Sequence, residues 1–449
     1  MYPAFFTNIA KKLDISKDVS KITVKFITLG CKTNLYESEA MAALFRQAGH
    51  TVTQEKKADV YVINTCTVTG TGAKKSRQQI RRVRRENPDA ILAVTGCLAQ
   101  TEAETLKAEL SIDILLGNKH RNRIVEFAEQ ALRGSKTVQV EDILKETSYE
   151  ELGITHGQSR VRANLKIEDG CNNFCSYCII PFARGPVRSR SIEKIREEAA
   201  ALGKEGYGEI VLTGIHIGSY GKDFNDSTGL IDVIEAVHET PGLSRIRLGS
   251  LEPVMITEEF VRRAKQLPKL CPQFHMSLQS GCDETLKRMR RRYTTDDFRH
   301  AVSLLRQEIP DTAITTDLMV GFAGETDEEF QASYNFCKEI GFSQMHIFPY
   351  SIRKGTAAEN FPNQVPESLK TSRTHAMLKL AEEMKETFYR RYLGQTIPVL
   401  LEQKEGNLWH GTTANYMDIL VDAPDGISGQ TVLAEFLDYE NEKIIANIK

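Results

Sequence analysis

The chain has 449 residues, 41% of them hydrophobic and 26% charged, and a net charge of −2. No apolar run reaches the ~20 residues of a membrane helix, and the opening MYPAFFTNIAKKLDISKDVS lacks the apolar core and cleavage site of a secretory signal. A near-neutral molecule is not a polycation, so nucleic acid has to be met by local basic patches. A cytoplasmic location is expected, where nine cysteines point to metal or catalysis rather than to disulfides.

Residues 1–21 read as an extension ahead of the first strand. Over 22–135 strand and helix patterns alternate. KITVKFITLG, ADVYVINT, AILAVTG and IDILLG are apolar runs. YESEAMAALFRQAG, TGAKKSRQQIRRVRREN, TEAETLKAEL and NRIVEFAEQAL follow them with helical spacing. Repeated βα units predict an α/β domain with a parallel sheet. Residues 136–160 are polar and weakly periodic and read as a linker. Over 161–385 the alternation resumes with six candidate strands, RANLKIED, EIVLTG, RIRLGS, QFHMSLQS, AITTDLMVG and MHIFPYS, which predict a partial (β/α)6 barrel. A long helix is predicted over 366–394. Within 386–449 short β-like runs broken by Gly, Asn and Pro-Asp-Gly turns predict a small all-β barrel, an architecture that often binds nucleic acid.

The stretch DGCNNFCSYCIIPFARGPVRSR, residues 169–190, follows a strand and places Cys171, Cys175 and Cys178 within eight positions. A closed zinc site wants four ligands, and the next cysteine is Cys271. Iron–sulfur clusters are held by thiolates. A [4Fe-4S] cube held by three leaves one iron open to chelation by an amine and a carboxylate, groups that S-adenosylmethionine carries. A zinc knuckle completed by a histidine is the alternative. Cys31, Cys66 and Cys97, in TLGCKTN, INTCTVT and TGCLAQ, each stand just past the C-terminal end of a predicted strand. In a parallel sheet those ends share one edge, where ligands bind, so three distant cysteines can converge. A second open cluster is expected there, against zinc with an outside ligand or three buried apolar cysteines. Cys271, Cys282 and Cys337 lack such spacing and read as structural. His216, His275 and His346, near strands, read as core histidines.

With these two triads the sequence resembles the radical SAM methylthiotransferase family over nearly its whole length, in the order N-terminal cluster domain, radical SAM barrel, TRAM-like barrel. The resemblance implies one [4Fe-4S] cluster on Cys31, Cys66 and Cys97, and another on Cys171, Cys175 and Cys178 that binds S-adenosyl-L-methionine. It implies that Tyr177 contacts the adenine of that cofactor and that Thr213 and Gly214 meet its methionine end. The resemblance further implies that Ser250, Glu252, Ser277 and Gln279, at later strand ends, face the same cavity, where such barrels carry their chemistry. VGFAGET resembles the glycine-bearing strand that approaches the adenine in that family, which implies such a role for Gly321; Ala323 stands where many relatives have proline.

TLGCKTNLYESEAM and the 169–190 loop are most similar to the branch acting on N6-threonylcarbamoyladenosine beside the anticodon of tRNA. The alternatives are the branches acting on N6-isopentenyladenosine or on a ribosomal-protein aspartate and, from another class, a non-catalytic zinc-bearing RNA-binding protein. The implied reaction installs a methylthio group on C2 of the adenine after a 5′-deoxyadenosyl radical has taken its hydrogen. No acid–base pair is expected, only placement and shielding. A reducing electron donor and a sulfur source are expected partners.

Three basic runs are candidate RNA contacts: Lys74, Lys75, Arg77, Arg81, Arg82, Arg84 and Arg85; Lys287, Arg288, Arg290, Arg291 and Arg292; and Arg184, Arg188 and Arg190 just after the cluster loop. Such residues neutralise phosphates, and an anticodon-loop adenine is reached only when unstacked. A solvated charged face is the alternative for each run.

Overall fold

The computed structural model describes residues 21–153 and 161–449, so the expected extension lies almost wholly outside the described residues. The chain divides into two compact units. One runs to Ile143 and takes in the short stretch from Glu150; the other takes Leu144–Tyr149 and the remainder of the chain.

The first unit is a six-stranded parallel sheet of β1 (Thr23–Thr28), β2 (Thr51–Val52), β3 (Val60–Thr65), β4 (Ile91–Gly96), β5 (Ile114–Leu116) and β6 (Thr137–Gln139), in the order β2-β1-β3-β4-β5-β6. Side chains alternate between its faces. Val60 and Val62 meet Met41, Phe45 and Phe127 from helices Lys32–Gln47 and Ile124–Leu132. Tyr61 and Ile63 meet Ala73, Ile80 and Leu98 on the other face. The strand β6 corrects the expected linker: residues 137–139 complete the sheet edge beside β5. Three residues are too few for a period-2 pattern to show. Residues 154–160 of that linker lie outside the described residues.

The second unit carries six parallel strands, β7 (Arg162–Lys166), β8 (Glu209–Thr213), β9 (Arg245–Leu248), β10 (Gln273–His275), β11 (Ala313–Val320) and β12 (Gln344–Pro349). They form two three-stranded sheets joined by the bridges Ile246–Leu270 and Leu251–Met276. This is the predicted partial barrel. Phe274, Met276, Ile314, Leu318 and Met345 point outward into the core beneath the helices, so the alternate residues of β10, β11 and β12 face the interior.

Helix Glu367–Arg390 places Met377, Leu380 and Met384 in that core and Phe388 and Tyr389 in the next one. The expected boundary at 385/386 therefore falls inside a helix shared by two cores. Beyond it, β13 (Thr396–Glu405), β14 (Leu408–Thr413), β15 (Asp418–Asp422), β16 (Thr431–Glu440) and β17 (Lys443–Ile448) close a barrel in the order β13-β14-β15-β17-β16.

This small barrel is bonded to the N-terminal ends of β7, β8 and β9. Arg247 donates to Oε1 of Glu209 at 2.9 Å and to the carbonyl of Ala414 at 3.1 Å, and its guanidinium lies 4.6 Å from the ring centre of Tyr416. Arg245 donates to the carbonyls of Thr412 and Pro398. Arg162 donates to Thr412 Oγ1 at 2.6 Å. Among the described residues, no helix is long and apolar enough to cross a membrane.

Candidate cluster sites and barrel cavity

In the first unit Cys31, Cys66 and Cys97 follow β1, β3 and β4 on one sheet edge. Cys31 caps helix Lys32–Gln47 and Cys97 opens helix Cys97–Thr101; helix N-termini favour thiolates. Gly30 has φ +106°, and a Cβ there would stand 3.1 Å from the Cys66 sulfur, so only glycine lets those two loops approach.

Asparagines that sequence reasoning passed over hold the loops. Asn34 Nδ2 donates to the carbonyls of Leu29 and Thr65, and Asn64 Nδ2 donates to the carbonyl of Asn34 at 2.9 Å. Asn118 Nδ2 lies 3.8 Å from the Cys97 sulfur. Their signal was an amide within a few residues of Cys31 or Cys66, and in the following βα turn for Asn118.

In the second unit the cysteine loop is fixed from both ends. A Cβ on Gly170, at φ +87°, would lie 1.9 Å from the Pro186 carbonyl, and Cys171 N donates to the Gly185 carbonyl at 3.0 Å. Ser176 donates from N and Oγ to the carbonyls of Met289 and Arg288. Burial pushes the Cys171 and Cys178 thiols up to about 12. Metal binding displaces such protons. Among the described residues no three His, Cys, Asp or Glu side chains close on a single-ion site; a four-iron cube is wider than one ion and takes thiolates set farther apart.

Arg291 is buried, not solvent-facing. It donates from Nη1 to the Cys175 sulfur at 3.3 Å and from Nε to the Tyr293 hydroxyl at 2.9 Å. Its Nη2 lies 2.8 Å from Glu252. Glu252 also accepts from Asn173 at 3.0 Å and stands 3.3 Å from His216 Nε2. Burial opposes its charge, but His216 and Arg291 hold its carboxyl down at about 2. His216 is thus a partner of this site, which corrects its reading as a core histidine.

Tyr177 packs edge-on to Phe322, ring centres 6.3 Å apart. Thr213 is buried at the end of β8. At Gly214 a Cβ would stand 2.6 Å from Glu168 Oε2, which accepts from the backbone N–H groups of Ile215 and His216 at 2.9 and 2.8 Å. The other oxygen, Oε1, is buried without a partner among the described residues. Burial raises the Glu168 carboxyl to about 8. A buried carboxyl oxygen without a partner fits an ammonium such as that of S-adenosylmethionine, whose charge would displace the proton that burial holds there. Sequence reasoning missed Glu168; its signal was an acid three residues before Cys171. Ser250 is exposed. The Ser277 carbonyl accepts from the Tyr293 hydroxyl, and Gln279, at φ +64°, bridges β11 through Leu318. At Gly321 the space a Cβ would fill is taken by Lys370, 2.4 Å away.

The basic residues divide sharply. Arg184, Arg188 and Arg190 are buried, which corrects their reading as RNA contacts. Arg184 and Arg188 face Asp169 at 3.4 and 3.5 Å, Arg188 also donates to the Arg184 and Pro186 carbonyls, and Arg190 pairs with Glu198. A buried cation is retained when paired, and sequence alone does not reveal the pairing. Arg77 pairs with Glu102, Arg84 with Asp113, and Arg288 with Glu329. Lys74, Lys75, Arg81, Arg82, Arg85, Lys287, Arg290 and Arg292 are exposed. Arg81 pairs with Glu109 and Arg82 with Glu86. His346 is exposed too, against its reading as a core histidine. Cys271 and Cys337 are buried and Cys282 half-buried.

A partial parallel barrel with a three-cysteine loop after its first strand defines a radical SAM protein. Residues 165–337 match the radical SAM superfamily model, and residues 23–117 match a family described as uncharacterized protein family UPF0004. A solved radical S-adenosylmethionine methyltransferase, TsrM from Kitasatospora setae, shares the fold at TM-score 0.55 and 15% identity, over 72% of each chain. Threonylcarbamoyladenosine tRNA methylthiotransferase MtaB of Bacillus subtilis (strain 168) is 42% identical over 92% of this chain and 94% of its own. The MtaB of Thermotoga maritima is 39% identical over 85% and 86%. A tRNA-2-methylthio-N(6)-dimethylallyladenosine synthase of Clostridium botulinum (strain Loch Maree / Type A3) is 34% identical over 87% and 89%. The chain belongs to the radical SAM tRNA methylthiotransferases, enzymes whose cofactors are S-adenosylmethionine and two [4Fe-4S] clusters.

Proposed function

We propose that this enzyme converts N6-threonylcarbamoyladenosine of tRNA to its 2-methylthio derivative. The supporting observation is the 42% identity, over nearly the full length of both chains, to a relative named for that nucleoside. Cys31, Cys66 and Cys97 hold one cluster, and Cys171, Cys175 and Cys178 hold the other. The cysteine-loop cluster with bound S-adenosylmethionine supplies the reductive cleavage that opens the C2–H bond of the adenine.

The chain's own work is placement. Arg291 sets a cationic donor on Cys175 and fixes Glu252, which with Asn173 and His216 stiffens the loop. Glu168 yields the proton it holds in the free enzyme when the cofactor's ammonium arrives, and its Oε1 then accepts from that ammonium beside Gly214. Tyr177 and Phe322 supply an apolar wall that excludes water. Exposed Lys74, Lys75, Arg290 and Arg292 meet tRNA phosphates, and the closed C-terminal barrel is a second RNA-binding element of the TRAM type. A reducing partner and a sulfur source complete the reaction in the cytoplasm.

Mass spectrometry of tRNA nucleosides from a deletion strain tests the substrate. Loss of the 2-methylthio-N6-threonylcarbamoyl nucleoside supports the assignment. Retention of that nucleoside, with loss of the dimethylallyl counterpart, overturns it.

A further inference from the structure

Three ionisable side chains face the barrel interior and have no part in either cluster site. His275, Asp317 and His346 lie on the three consecutive strands β10, β11 and β12. Asp317 is opposite His346 in the ladder, and His275 is opposite Thr315. Their chain neighbours Phe274, Met276, Leu318, Met345 and Ile347 pack outward against the helices, so the trio points inward. Two residues farther along β11 and β12, Met319 and Phe348 pack with Tyr177. The trio therefore sits one interior layer, about 7 Å, from the aromatic wall of the cofactor site. The layer is open to solvent: the Asp317 side chain is 33% exposed and His346 is exposed.

His275 and Asp317 are also held in place, and the His346 ring lies 6.2 Å from that of His275. Arg247 donates to Gln273 Oε1 at 3.3 Å, Gln273 Nε2 donates to Thr315 Oγ1 at 2.9 Å, and Thr315 Oγ1 stands 3.0 Å from His275 Nδ1. Thr315 Oγ1 thus ties His275 Nδ1 to the Gln273 amide, and Nε2 of His275 stands 3.4 Å from Asp317. Burial opposes charge on Asp317, but His275 and His346 keep its carboxyl below the usual range. The cavity thus presents a fixed acceptor on the central strand and an exposed imidazole beside it.

The chemistry matches one substituent class. A threonylcarbamoyl group carries N–H and hydroxyl donors and ends in a carboxylate, whereas a dimethylallyl group carries none of these. We infer that His275, Asp317 and His346 form the pocket for the N6 substituent of the target adenine: Asp317 accepts from the N–H and hydroxyl donors, and His346 donates to the carboxylate. The Asp317 charge repels that carboxylate and so directs it to the His346 side. This rests on the threonylcarbamoyl reading above and deepens it.

The test uses cluster-loaded full-length enzyme and synthetic anticodon stem-loops with threonylcarbamoyl, dimethylallyl or no substituent on the adenine. Fluorescence anisotropy gives affinities, and mass spectrometry gives the methylthio product. Wild type prefers the threonylcarbamoyl stem-loop to the unsubstituted one by about tenfold or more, the worth of a charge-assisted hydrogen bond. In His346→Ala and Asp317→Ala that ratio falls toward one, and His346→Gln, which keeps a donor, retains part of it. Circular dichroism and iron content report whether each variant is folded and loaded. If wild type shows the preference and both folded variants keep it, the pocket assignment is overturned while the substrate reading stands. If wild type modifies only the dimethylallyl stem-loop, both fall together.

Discussion

Arg291 Nη1 lies 3.3 Å from the sulfur of Cys175, and the same guanidinium approaches Glu252 at 2.8 Å. A buried arginine thus joins a candidate cluster ligand to a carboxylate held down at about 2. Because that folded value is below the ordinary one near 4.5, the stabilisation is present above about pH 4.5 and is lost as pH falls toward 2. Arg291→Gln leaves the carboxylate short of its cation. The variant should lose about 3 kcal/mol in urea unfolding at neutral pH, and its Cys171–Cys175–Cys178 cluster should be harder to reduce in a redox titration followed by electron paramagnetic resonance.

The two triads are separable by chemistry. Wild type purified without oxygen should carry about eight irons, four for each cube. Cys31→Ala should retain about four irons and still cleave S-adenosylmethionine while failing to insert sulfur. Cys175→Ala should fail at cleavage. Normal sulfur insertion by Cys31→Ala would remove the assigned role of the first triad.

Glu168 sets a pH dependence of opposite sign to that of Glu252. Its folded carboxyl is raised to about 8, so between the ordinary value near 4.5 and about pH 8 the folded chain binds a proton that the unfolded chain releases. Stability then falls as pH rises through that window, by roughly 1.4 kcal/mol per pH unit from this group. Glu168→Gln should flatten the slope between pH 5 and 8 and leave it unchanged above pH 9. An unaltered slope in unfolding curves across the series would show that Glu168 is ionised in the fold.

Arg247 ties β9 to the C-terminal barrel through Glu209, Ala414 and Tyr416. Arg247→Met leaves buried Glu209 to Arg162 and Arg245 and removes the stack on Tyr416. It should cost about 3–5 kcal/mol and raise amide exchange in Thr412–Tyr416 ahead of the rest of that barrel, as read by hydrogen-exchange mass spectrometry.

Strand and helix periods made the parallel sheet, the partial barrel and the small closed barrel legible in the sequence, because alternating burial on two faces writes itself into the residue pattern. Cys31, Cys66 and Cys97 were legible for the same reason, since a cysteine just past each strand end needs only the topology to bring it to the edge, while Cys171, Cys175 and Cys178 were legible from their spacing within one loop. Charge was not. Arg184, Arg188 and Arg190 look like Lys74 and Lys75 in sequence, yet Asp169 and Glu198 draw the first three inside. Which acid faces which base depends on tertiary register. The short edge strand Thr137–Gln139 and the inward-facing His346 were hidden likewise, one by brevity and the other by a single-residue choice of strand face.

The helix Glu367–Arg390 has a consequence for how the protein can be divided. One end of it completes the catalytic barrel with Met377 and Leu380, and the other completes the small barrel with Phe388 and Tyr389. Cutting the chain at 385 strips a wall from one core and leaves apolar surface bare on the other, since exposed contiguous apolar surface promotes association. The two barrels are thus inherited as one indivisible piece, and a gene fragment encoding either alone should associate rather than stand as a module.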